Sequence, residues 1–81
     1  KKVNVLEFNG WNIVVEYKDD YEILKNDTSV VILDKDNDIA ALIKEVNNEL
    51  KIAKSGYSNT YTINAEEKKL TIEITNLFEE D

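Results

Sequence analysis

The sequence contains no cysteine, histidine, arginine, proline or methionine, and it has only two glycines. Without cysteine there is no disulfide, no thiolate nucleophile and no zinc site of the cysteine type. Without histidine there is no imidazole general base, and without arginine there is no bidentate fork for phosphate. In a chain of 81 residues, these absences predict a single non-enzymatic domain, 1–81, with no cofactor.

Long apolar runs and clustered bases are also missing. No stretch of about 18 apolar residues exists, so the sequence predicts no membrane span and, by default, a cytoplasmic location. The ten lysines are dispersed and outnumbered by 17 acids, which argues against direct nucleic-acid binding. The use of lysine as the only base, together with abundant asparagine and isoleucine, suggests a low-GC coding genome.

The chain begins with a clear hairpin pattern. Two alternating segments, 3–8 and 11–17, flank Asn9-Gly10, the pair of residues that best tolerates the positive φ angles of a type I′ turn. The resulting register sets Phe8 against Trp11, Leu6 against Ile13 and Asn4 against Val15, which gives one mostly apolar face.

A second hairpin is predicted between residues 21–25 and 28–33, with its turn at Asn26-Asp27. As an alternative, an aspartate N-cap would make residues 19–24 one helical turn. The hairpin would place four apolar side chains on one face: Tyr21, Ile23, Val30 and Ile32.

Residues 38–54 carry apolar side chains at helical spacing, which predicts an amphipathic helix with Asp38 as its N-cap and Gly56 beyond its end. Asn47-Asn48 is the exception, since asparagine is a poor helix former and could mark a turn between two strands. The apolar stripe consists of Ile39, Leu42, Ile43, Val46 and Leu50.

The last predicted hairpin joins residues 61–63 and 70–75 and pairs Ile63 with Leu70 and Tyr61 with Ile72. The predicted fold is therefore α+β, in the order ββββαββ, with one helix packed on one face of an antiparallel sheet.

One spacing is suggestive of a metal site. Acids at positions 1, 3, 5 and 12 of a twelve-residue segment, Asp34, Asp36, Asp38 and Glu45, match the spacing of a calcium loop of the EF-hand type. Position 6, where that loop requires glycine, is Ile39. We therefore expect carboxylates that favour a turn and a helix start, and keep a weak calcium-binding module as the second alternative function.

The net charge of −7 is unevenly distributed. Residues 19–38 hold seven acids against Lys25 and Lys35, which makes this segment the most acidic block. We expect these carboxylates to form one surface that binds a protein partner with a basic groove and speeds the encounter with it. The predicted partner-binding residues are Asp19, Asp20, Glu22, Asp27, Asp34, Asp36 and Asp38.

In size, acidity and lack of catalytic groups, the chain resembles the small inhibitors with which phages block nucleic-acid-handling host enzymes, such as nucleic-acid mimics. That resemblance implies a viral or mobile-element inhibitor that acts in the host cytoplasm. The first alternative is a structural or assembly subunit, such as a homodimer, that associates through a sheet edge or an apolar face.

Overall fold

A computed structural model describes residues 2–17, 20–55 and 60–74, and this part of the chain is entirely β-structure. Its eight strands form two four-stranded sheets. The strands are β1 (Lys2–Phe8), β2 (Trp11–Tyr17), β3 (Glu22–Lys25), β4 (Ser29–Leu33), β5 (Ile39–Val46), β6 (Glu49–Ser55), β7 (Thr60–Asn64) and β8 (Lys69–Ile74).

The two sheets differ in how the chain builds them. The first sheet has the order β1-β2-β8-β7, in which the N-terminal and C-terminal hairpins meet through a parallel pair, β2 with β8. The second sheet is the antiparallel meander β3-β4-β5-β6. The prediction of a purely antiparallel sheet is therefore wrong, because β2 and β8 pair in parallel. The first and last hairpins of the sequence become neighbours only in the tertiary structure.

The first hairpin is confirmed in both turn and register. Phe8 lies opposite Trp11 and Leu6 opposite Ile13, while Asn9 and Gly10 have φ angles of 51° and 87°. Two successive positive φ angles define a type I′ turn, whose twist matches that of the flanking strands.

The other two predicted hairpins are also present. Ile23 pairs with Ile32 in the second hairpin, so the alternative of a helical turn at residues 19–24 is wrong for the part that is described. In the last hairpin Ile63 pairs with Leu70 and Tyr61 with Ile72, as expected. Asn26 closes the second turn by accepting, through Oδ1, hydrogen bonds from two backbone N–H groups at 2.8 and 2.9 Å.

The predicted helix over residues 38–54 is wrong, and with it the α+β class and the order ββββαββ. This segment forms β5 and β6, which pair across Asn47 and Asn48 with φ angles of 54° and 66°. These left-handed angles end any α-helix and build a hairpin turn, the role that asparagine tolerates best after glycine.

The helical spacing of apolar residues gave a wrong prediction because β5 is an inner strand of its sheet. It pairs with β4 on one side and β6 on the other, so apolar side chains are useful on both of its faces. Ile43 is fully buried between the sheets, while Leu42 is half-buried on the outer face. A strand that is apolar on both faces has no clean alternation, and its pattern overlaps that of a helix.

One core joins the two sheets. It combines alternate residues of β2 and β8 from the first sheet with those of β4, β5 and β6 from the second. The buried apolar residues are Phe8, Trp11, Ile13, Val15, Tyr17, Val30, Ile32, Ala40, Ala41, Ile43, Leu50, Leu70, Ile72 and Ile74.

Asn9 connects the two sheets at one end of the molecule. Its Nδ2 donates to the carbonyl oxygen of Asp27, at 2.9 Å, and to Oε1 of Glu45, at 2.8 Å. The turn of the first sheet is thus tied to two elements of the second, so the side chain of Asn9 has a role besides its tolerance of positive φ.

Replacing Asn9 by glycine should lower the free energy of unfolding by about 1 kcal/mol, because glycine permits the same turn but lacks the side chain that donates both hydrogen bonds. Asn9→Asp should cost more at neutral pH, since it sets a carboxylate against Glu45 and against a carbonyl oxygen. Urea unfolding between about pH 3 and pH 7 measures both variants. The deficit of Asn9→Asp relative to Asn9→Gly should shrink as the pH falls and the introduced aspartate becomes protonated. A deficit that does not change with pH would contradict this assignment.

Candidate acidic site

The structure describes six of the seven predicted partner-binding acids, and Asp19 lies outside the described residues. Five of the six are exposed, whereas Asp34 is buried with 7% of its surface accessible. The exposed acids are Asp20, Glu22, Asp27, Asp36 and Asp38.

Four of the exposed acids lie at the same end of the second sheet. Glu22 begins β3 and pairs with Leu33, the last residue of β4. The β4–β5 turn follows directly and carries Asp36 and Asp38, while Asp20 lies two residues before Glu22. The antiparallel register therefore gathers carboxylates that are as many as 18 residues apart in the sequence.

Asp27 does not belong to this group. It lies in the β3–β4 turn, at the other end of β4, and a five-residue strand separates the two ends by roughly 17 Å. Its backbone carbonyl accepts the hydrogen bond from Asn9, so its place in the fold is at the junction of the two sheets. The sequence block of residues 19–38 is thus divided between two ends of the molecule.

Asp34 organises the β4–β5 turn. Its Oδ1 accepts hydrogen bonds from the backbone N–H groups of Asp36 and Asp38, at 2.8 and 2.9 Å. Its own N–H donates to the carbonyl of Asp38, at 2.9 Å, and its carbonyl accepts from the N–H of Asn37, at 3.0 Å. This closed turn, with Asn37 at a φ of 65°, holds Asp36 and Asp38 at the surface while Asp34 itself is withdrawn.

Asp20 differs from its neighbours because it has a cationic partner. Lys2 Nζ donates a hydrogen bond to Asp20 Oδ1 in an exposed ion pair that links β1 to the start of β3. The hydrogen bond and the charge of Lys2 lower the pKa of Asp20 below its ordinary value. Glu22, Asp36 and Asp38 are the other exposed carboxylates at this end, and we call these three residues the acidic end. Lys35, in the same turn, is also exposed.

The calcium-loop spacing does not produce a cluster of ligands. Glu45, the twelfth residue of that segment, lies near the far end of β5, where its Oε1 accepts from Asn9. Asp34 directs its Oδ1 at the backbone of its own turn. Within the described residues, no group of three acids is placed to hold a metal ion.

The structure also shows an exposed apolar surface that the sequence did not assign to particular residues. Val3 and Val5, on the outer face of β1, are 59% and 62% exposed. The hairpin pattern correctly predicted that Leu6 and Phe8 face inward, but it could not show that β1 lies at an edge of its sheet. That position depends on which strand pairs with β2 on its other side, and this partner is β8, whose residues follow their partners in β2 by 57 positions in the sequence.

Comparison with protein-family models, with curated proteins and with solved structures finds no match to this chain. The compositional resemblance to phage inhibitors is therefore without support, and we retain neither the viral source nor the inhibitory activity that it implied. The described part of the chain holds no helix long and apolar enough to cross a membrane.

Proposed function

We propose that this chain is a non-enzymatic protein-binding domain whose acidic end engages a basic surface of its partner. One observation supports the proposal: strand register and the Asp34 turn bring Glu22, Asp36 and Asp38 to one end of the second sheet as exposed carboxylates. Carboxylates gathered in this way make the local electrostatic potential more negative, which speeds association with a basic partner.

The turn geometry adds to this support. Asp36 and Asp38 project from a turn that is closed by four hydrogen bonds from backbone N–H groups within residues 34–38. Side chains presented on a fixed backbone lose little additional freedom on binding, which favours their use in recognition.

The test compares two variants of equal net charge. The acidic-end variant carries Glu22→Gln, Asp36→Asn and Asp38→Asn, and the control carries Glu49→Gln, Glu66→Gln and Glu67→Gln at exposed positions elsewhere. Each variant changes the formal charge from −7 to −4. Asp20 and Asp34 are left intact because the first is paired with Lys2 and the second holds the turn.

Binding is measured by calorimetry with a lysine octapeptide as the basic probe, at low and moderate salt. We expect the acidic-end variant to bind at least about tenfold more weakly than the control, with an affinity that depends less on salt. Capture from a cell lysate with the same three proteins then identifies partners that the control retains and the acidic-end variant loses. Equal affinities of the two variants for the peptide would show that only net charge matters and would overturn the proposal.

A further inference from the structure

The outer edge of β1 is the longest regular sheet edge in the described part of the chain, since β7, the other edge strand of its sheet, has five residues. β1 has seven residues, shows no register shift against β2 and, like the whole sequence, contains no proline. By contrast β3, the edge strand of the second sheet on the same side, has four residues, and the pairing of β6 with β5 contains a register shift. Proteins usually protect a long edge with such devices, because unpaired N–H and C=O groups can bind another strand.

The hairpin register shows which backbone groups point to this edge. In a hairpin with a two-residue turn, Phe8 and Trp11 exchange hydrogen bonds, so the even-numbered residues of β1 face β2. The neighbouring strand is consistent with this pattern, since Asn12 N–H donates away from β1 to the carbonyl of Lys68, at 2.8 Å. Val3, Val5 and Glu7 therefore direct their N–H and C=O groups toward the open edge.

Only part of that edge is open. Lys25 Nζ donates to the carbonyl of Glu7, at 2.7 Å, which occupies the end of β1 next to the turn. The remaining open groups belong to Val3 and Val5, the two most exposed large apolar residues of the described chain. Backbone hydrogen-bonding capacity and exposed apolar surface thus coincide at the same two residues.

We infer that β1 pairs antiparallel with β1 of a second copy of this chain, about a two-fold axis that passes beside Asn4. The sequence Val3-Asn4-Val5 is the same in both directions, so this axis sets each valine against a valine of the other copy. Val3 then exchanges backbone hydrogen bonds with Val5 of the second copy, and Glu7 keeps its bond from Lys25. The two first sheets become one continuous eight-stranded sheet.

The side chain at the axis favours the same arrangement. Asn4 is exposed and falls at a position between the hydrogen-bonded pairs, where the Cα atoms of opposite residues approach to about 4.5 Å. A primary amide both donates and accepts, so two asparagines related by a two-fold axis can hydrogen-bond to each other. An exposed asparagine on the inward-facing side of a strand becomes a specific contact in the pair.

The charges beside β1 are complementary under this symmetry. β3 lies alongside β1, because Lys2 forms an ion pair with Asp20 and Lys25 donates a hydrogen bond to the carbonyl of Glu7. Asp20 is thus at one end of this flank and Lys25 at the other. A two-fold axis through Asn4 brings Asp20 of one copy to the level of Lys25 of the other. This arrangement sets an acid and a lysine of the two copies side by side on this flank, which reduces there the repulsion expected from the net charge of −7.

Sedimentation velocity of the full chain over a wide concentration range tests the inference with two designed double variants. Val3→Lys/Val5→Glu places opposite charges across the proposed pairs, and Val3→Lys/Val5→Lys places like charges there. Both variants keep the backbone and change only outward-facing, exposed side chains. We expect wild type to dimerise with concentration, and the lysine pair to weaken the dimer at least about tenfold relative to the lysine–glutamate pair.

A backbone variant and a residue-level readout complete the test. Val5→Pro removes one outward N–H, which proline permits on an edge strand, and should give a monomer, while Val5→Thr should retain the dimer. Amide exchange at Val3 and Val5 should slow as concentration rises in wild type. If Val5→Pro fails to fold, the two charge variants still decide. A wild type that stays monomeric at millimolar concentration, or charge variants that dimerise equally, would overturn the inference.

The outcome is independent of the proposed function. The acidic-end variant leaves Val3, Asn4, Val5 and Asp20 unchanged, so it should dimerise like the control of equal net charge and at least as tightly as wild type, even though it binds the lysine peptide less well. If no dimer forms, the proposal for the acidic end is unaffected. If the two variants bind the lysine peptide equally well, the inference of a dimer is unaffected.

Discussion

Replacing Ile72 by alanine should lower the free energy of unfolding by about 2–5 kcal/mol, the largest loss we expect from a single change in this chain. Ile72 is fully buried on β8, between Val15 of β2 and Tyr61 of β7. Removing three carbons there leaves a cavity that the hydrogen-bonded neighbours on both sides cannot collapse to fill. For a domain of this size such a loss is a large share of the total stability.

Ile63→Ala is the matched control, because it removes the same atoms from the same hairpin. Ile63 lies on the edge strand β7 and is 46% exposed, so its truncation should cost about 1 kcal/mol or less. Urea unfolding of the two variants at neutral pH measures the difference. Similar losses for Ile72→Ala and Ile63→Ala would mean that β8 is not an inner strand of its sheet.

The second large effect is expected at Asp34. Asp34→Ala should lower the free energy of unfolding by about 2–3 kcal/mol, because two backbone N–H groups of a tight turn lose a charged acceptor. The loss should extend to the acidic end, since Asp36 and Asp38 would no longer be held by the turn. Urea unfolding gives the stability, and calorimetry with the lysine octapeptide gives the binding.

Two further variants separate the hydrogen bonds of Asp34 from its charge. Asp34→Asn retains an acceptor oxygen at the same place and should lose clearly less stability than Asp34→Ala. Asp36→Ala removes an exposed aspartate from the same turn and should change stability by less than about 0.5 kcal/mol. If Asp34→Ala proved as mild as Asp36→Ala, the hydrogen bonds of Oδ1 would not be holding the turn.

Asp34 also shows how far a sequence can locate a site. Its place in an acidic block predicts an exposed binding residue as readily as a structural one, because both roles use the same carboxylate. The structure withdraws it from the surface and leaves Asp36 and Asp38 as the exposed members of the turn. Whether these two acids bind a partner stays a prediction, which the charge-matched variants address.

The two proposed surfaces use different physics. The acidic end relies on long-range attraction, which salt weakens, whereas the β1 edge relies on backbone hydrogen bonds and apolar contact, which salt affects less. If both are used, a dimer would carry two acidic ends related by the two-fold axis. Binding to a partner that presents two basic sites would then gain from the linkage of the two copies.

Local signals determined the hairpins of this protein. Asn9-Gly10 fixed both the turn type and the register of β1 with β2, because few residue pairs accept two positive φ angles. Alternation fixed the facing of Ile63, Leu70 and Ile72 in the last hairpin, because one face of a strand that covers a core must be apolar.

Only the tertiary structure decided the rest, since the deciding contacts link residues far apart in the chain. Residues 39–55 became strands because β4 offered an open edge to β5, and Asn47-Asn48 could turn the chain back to form β6. The parallel pairing of β2 with β8 placed β1 at the edge and Ile72 in the centre. The absent residue types and the net charge are properties of the sequence alone. Strand register decided which carboxylates meet at one end of the second sheet, because it brings together residues that are far apart in the sequence.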